Sequence, residues 1–154
     1  MTAMKPPASV RTRFPPSGRP AGETRARSSA AGRRAAIARW AAIQRWIRVR
    51  FGADGFAQLG LPGGEIVDRG LRDLAEGRAT ADALLVSLAA PRLRREGVPM
   101  PRTTLPDADR RLYRLIESEH GLLAHARYLA HLRQIASFAD ACHQRRWSAR
   151  PDAR

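Results

Sequence analysis

Residues 64–88 read GEIVDRGLRDLAEGRATADALLVSL, and their pattern decides the fold class. Val67, Gly70, Leu71 and Leu74 recur at spacings of three and four, which is one face of a helix, with no period-two alternation beside it. The pattern predicts a helix from about Gly64 to Glu76, stopped by Gly77. Asp68 with Arg72, Arg69 with Asp73, and Arg72 with Glu76 stand i,i+4 and are expected to pair on its wet side. Thr80 then predicts the N-cap of a further helix, buried through Leu84, Leu85 and Leu88. Pro91 predicts its stop or a kink, with a short turn on to Gly97.

Working outward towards the N-terminus, Gly52, Gly55, Gly60, Gly63 and Gly64 with Pro62 predict a loop or a set of turns. Ahead of them Ala36, Ile37, Trp40, Ile43, Ile47 and Phe51 fall within about 60° of one direction on a helical wheel. Arg34, Arg39, Arg45, Arg48 and Arg50 lie outside that arc. A long amphipathic helix starting near Ser28 or Ser29 and ending at Gly52 follows. Trp46 is expected to point away from the apolar stripe, with Arg39 and Arg50 nearby. Before residue 29, five prolines, two glycines and few apolar side chains predict a disordered arm.

Towards the C-terminus, Val98–Pro106 holds three prolines and predicts an extended connector. Asp107 is expected to cap a helix carrying Leu112, Leu115 and Ile116, ended by Gly121. A longer helix, about 122–146, would bury Leu122, Tyr128, Leu129, Leu132, Ile135, Ala136 and Ala139. The expectation is an all-α protein: about five helices in a small bundle over 29–146, a disordered Arg/Pro-rich arm over 1–28 and a flexible tail over 147–154. Few β-branched residues and four Phe argue against a sandwich or barrel.

The net charge of +14 is uneven along the chain. Residues 1–50 carry twelve basic residues and a single acid, Glu23, whereas 51–100 carry six basic and seven acidic. An excess placed there favours a polyanion or an acidic protein surface as partner. One cysteine, Cys142, excludes an intrachain disulfide and fits a reducing compartment. No run approaches the ~18 apolar residues of a membrane span, and arginines interrupt any export signal after Arg33-Arg34. Cytoplasm is the expected location, with no membrane partner.

Motifs of catalysis are scarce. His120, His125, His131 and His143 have no i+3 or i+4 spacing, so no metal and no cofactor are expected. Arg114 and His120 form R-x5-H, the loose signature of HEPN ribonucleases, in which the His moves a proton and the Arg holds phosphate. With these many arginines and four histidines, chance supplies roughly two such matches. The run Gly60–Glu65 lacks the Lys-Ser/Thr of a P-loop, and Glu65 would repel phosphate, so it predicts a structural turn. A helix-turn-helix drawn over Ile66–Ala90 would present Asp82, Leu84, Leu85 and Leu88 and lacks the Arg, Asn or Gln that read base edges. The nucleic-acid signal lies in the arm and first helix instead. Arg11, Arg13, Arg19, Arg25, Arg27, Arg33, Arg34 and Arg39 can meet phosphates with little geometric demand, and Trp46 can stack on a base or a partner side chain.

The stretches GLPGGEIVDRGLRDLAEG (60–77), LLVSLAAPRLRREGVPMP (84–101) and RLYRLIESEHG (111–121), with AHARY (124–128) and SFADAC (137–142), resemble small bacterial proteins encoded beside nucleotidyltransferase-type toxins. The resemblance spans about residues 35–143 and carries no catalytic residues. It implies an antitoxin-like or accessory role, with a cognate toxin as protein partner; together with the charge this gives a non-enzymatic regulatory or adaptor protein whose arm engages DNA or RNA or an acidic surface. A general nucleic-acid-binding accessory protein and a small HEPN-like ribonuclease are the alternatives.

Overall fold

The structure is a computed structural model that describes residues 21–148, with side chains from Ala30 to Arg145. It is all-α: five helices, α1 (Ala21–Phe51), α2 (Gly64–Glu76), α3 (Ala81–Arg95), α4 (Ala108–His120) and α5 (Ala124–Ser148). Short 3-10 turns at Ala57–Leu59 and Gly121–Leu123 complete it. The first helix is described from Ala21, ahead of the expected start at Ser28 or Ser29. Ala21, Glu23, Arg25, Ala26 and Arg27 are helix-compatible residues that follow Pro20, and they extend the helix backwards. The expected arm lies outside the described residues as far as residue 20, as does the tail from residue 149.

The α2–α3 pair forms as its sequence requires. Gly77, at φ 74°, closes α2 by donating to Leu74 O at 3.1 Å while the Arg78 amide donates to Asp73 O at 2.8 Å. Thr80 caps α3, its Oγ1 accepting from the Ala83 amide at 3.2 Å and donating to the Asp73 carboxylate. Gly70 lets the two helices approach: a Cβ there would lie 2.5 Å from Asp82 O and 2.6 Å from a Val86 methyl. No other residue fits.

Charges on α2 serve mainly neighbouring elements, although Arg69 also stands 4.0 Å from Glu65 one turn back. Asp68 accepts from the amides of Phe56 and Ala57 at 3.0 and 2.9 Å, pinning the preceding loop. Arg69 reaches Asp82 of α3 at 2.7 Å, Arg78 holds Asp73 and Glu76, and Arg72 covers the Trp40 ring at 5.2 Å. The three expected i,i+4 pairs are replaced by these contacts, and those of Asp68, Arg69 and Arg72 tie α2 to the preceding loop, α3 and α1.

Pro91 does not stop α3, which continues to Arg95. Its ring is exposed, and the helix ends on Gly97 (φ 82°) with the Val98 amide bonded to Leu93 O at 2.9 Å. Val98 is buried there, and the connector that follows is fastened by the Leu105 amide donating to Ser87 Oγ at 3.1 Å. Asp107 stands at the N-cap of α4 at φ 50°, but its side chain makes no capping bond. In the left-handed conformation that carboxylate does not reach the first-turn amides. Tyr128 of α5 donates to Asp109 of α4 and stacks edge-on against Tyr113, centroids 5.5 Å apart, which ties those two helices together.

Helix α3 is central and touches α2, α4 and α5, while α1 lies on α2. Phe56, from the glycine-rich loop, and Phe138, from α5, are both fully buried and meet edge-on at 5.1 Å. Ile47, Leu71, Leu85, Leu112 and Ile116 close around the same core. Leu122, expected at the head of the α5 stripe, is instead fully exposed, since the 3-10 turn at Gly121–Leu123 rotates it off the helix face.

Candidate partner groove and basic helix

Helix α1 is the element on which charge and apolar surface meet. From Ala30 to Phe51 it carries six arginines and no carboxylate. Arg48 pairs with Asp54, Arg50 lies over the Phe51 ring at 5.7 Å, and Arg39 donates to Ala75 O at 2.7 Å. That last bond satisfies a carbonyl at the C-terminal end of α2, so Arg39 is in part a capping residue. Arg33, Arg34 and Arg45 are exposed and meet no carboxylate within ion-pair distance among the described residues. Arg33 shares a surface recess with Glu76, whose carboxylate is held by Arg78 at 2.9 Å.

The buried direction of α1 differs from the expected one. Ala36, Ile43 and Ile47 are buried, but Ile37 is 67% exposed, and Trp46 is half-buried against the core with its ring 5.6 Å from Phe51. The helix is rolled towards Trp46 because α2 and the segment after α3 offer apolar surface on that side and no described residue buries Ile37. Trp46 therefore does not point away from the stripe. It forms one edge of it.

Beside Trp46 runs an open groove of about 560 Å³. Its floor is Ala42, Ile43, Trp46 and Leu74, and its far wall is Pro99–Pro101. Arg39 and Arg102 stand at its mouth, and no carboxylate lines it. On the other side of Trp46 a smaller recess of about 230 Å³ continues along α1 past Arg50 and Phe51 to Glu96 and Cys142. Burial, with Glu96 nearby, pushes the Cys142 thiol up to about 11, so it is neutral and unreactive at ordinary pH. Glu96 is engaged by His143 Nδ1 at 3.0 Å.

Of the residues expected to bind partners, Trp46 and Arg39 share this groove. Arg33 and Arg34 sit a turn or more away on α1, Arg25 and Arg27 lie in its first turns without described side chains, and Arg11, Arg13 and Arg19 lie outside the described residues. Met100 and Arg102 were hidden in the sequence, where residues 98–106 read only as a connector; two prolines flanking a Met were the signal of a rigid wall.

Other candidates resolve into structure. Arg114 lines a shallow cleft between α4 and α5 with Tyr113, Glu117, His125 and Tyr128, whereas His120 stands outside it, 3.9 Å from Glu119. Arg114 and His120 thus do not line the same cleft. Leu84 and Leu85, part of the drawn recognition helix, are buried, and Asp82 is paired with Arg69, so that face cannot enter a groove of DNA. Gly60 and Gly63, at φ 64° and 75°, form the turn into α2. Among the described residues no group of three or more metal-ligating side chains converges, and no helix is long and apolar enough to cross a membrane. The chain matches no family model, no curated protein and no solved structure.

Proposed function

We propose that this chain is a non-enzymatic, antitoxin-like regulatory or adaptor protein. Its helical domain binds a protein partner, a cognate toxin on the resemblance, and its arm and first helix engage nucleic acid or an acidic surface. One observation carries the reading: α1 presents Arg33, Arg34 and Arg45 to solvent with no carboxylate partner among the described residues, on a helix that holds no acid from Ala30 to Phe51. Arginines serving only solubility have no need of such segregation, while a phosphate-contacting helix does.

The test is incubation of purified full-length chain with labelled single-stranded RNA and with a labelled 20-base-pair duplex at low salt. Retention of the intact probe, lost in the R33A/R34A/R45A variant, is the expected result. RNA cleavage that disappears in His120→Ala would replace this reading with the ribonuclease.

A further inference from the structure

We infer that the groove between α1 and residues 96–103 receives an acidic segment of the partner protein, with an apolar anchor that packs between Trp46 and Met100. This rests on the reading that the helical domain binds a protein.

The floor is apolar and rigid. Ile43 is 7% and Leu74 8% exposed, held by the core beneath them. Pro99 and Pro101 fix the opposite backbone, and Met100 adapts its shape to an incoming side chain. A half-buried Trp beside such a wall is the kind of residue on which binding energy concentrates. At about 560 Å³ the cleft is in the ~300–1,000 Å³ range of binding sites.

The mouth selects the sign of what flanks the anchor. Arg39 and Arg102 line the groove and Arg50 the recess beyond Trp46; of the residues lining the two, only Glu96 is a carboxylate, and it is bonded to His143. From Arg39 to Arg50 the α1 wall runs about 16 Å, enough for roughly three turns of helix or five extended residues. An occupant therefore needs acidic residues on both sides of a short apolar centre. A net charge of +14 draws it in from a distance. A second copy is the competing occupant, since Leu122 and Leu123 are exposed close in sequence to Glu117 and Glu119. The same net charge opposes that pairing.

The experiment uses the full chain and three labelled 12-residue peptides at ~150 mM salt, read by anisotropy. One carries leucines at i, i+3 and i+4 among glutamates; the second replaces those leucines by serine; the third replaces the glutamates by lysine. The first should bind, and each of the others at least tenfold more weakly. Met100→Glu, and the exposed Arg102→Glu should the first variant fail to fold, should weaken the first peptide at least tenfold, while R33A/R34A/R45A changes it less than twofold. Equal binding of the serine peptide, indifference to both groove variants, or no binding of any peptide overturns the assignment. So does concentration-dependent self-association that L122S/L123S abolishes, which would give the groove to a second copy. Retained oligonucleotide binding alongside a silent groove would leave the nucleic-acid half of the function standing, so the two failures are distinguishable.

Discussion

Asp109 and Tyr128 show how a single pair can report on the fold. The Tyr128 hydroxyl donates to the Asp109 carboxylate, and this bond, with some burial, pushes the phenol up to about 12. Folding thus favours the neutral phenol. Its stabilisation is complete below the unfolded tyrosine value near 10 and is lost as pH rises through 10 to 12. Ultraviolet titration, with Tyr128→Phe as the reference, should place this ionisation near pH 12, and Asp109→Asn should bring it down towards 10. An unchanged titration in Asp109→Asn would mean that the bond does not exist in solution. Nothing in the sequence pointed to this pair, because the two residues are far apart along the chain and only the antiparallel packing of α4 on α5 joins them. Trp46 was better marked. An indole among arginines drew notice, but which way the helix rolls depends on surfaces supplied by residues 74 and 99–101, which no helical wheel contains.

At the scale of the elements, periodicity and caps carried nearly all the information. The limits of α2, the Thr80 cap and the glycine stops at 52 and 77 stand where the side chains demand. What periodicity cannot do is choose among partners for a charge. Asp68 reads as a mate for Arg72, yet it binds two amides of the loop that delivers Phe56 to the core. Asp68→Ala should therefore cost about 2 kcal/mol, the range for bonds to a charged acceptor, where a lost surface i,i+4 pair would cost only about 0.3–0.5 kcal/mol. Urea melts of the two proteins measure the difference. A loss below about 0.5 kcal/mol would return Asp68 to the wet side. Phe56 was missed for a related reason: a lone aromatic within five glycines and a proline has no period to reveal it, and only the turn that folds it back against Phe138 buries it.

The whole molecule divides its labour along the chain. The core is built from α2 to α5 with one edge of α1, where acids and bases are near balance, whereas the unbalanced charge sits on α1 and ahead of it. That separation lets the charge be altered without touching the fold. The most direct measurement is the salt dependence of duplex binding by the wild type and by R33A/R34A/R45A, taken with thermal melts of both. At ~0.9 units per phosphate contact the variant's log–log slope should be shallower by about 2.7, with the melting temperature unchanged. An unchanged slope would mean that these arginines do not meet phosphates, and a slope change accompanied by a lower melting temperature would mean that they also hold the fold.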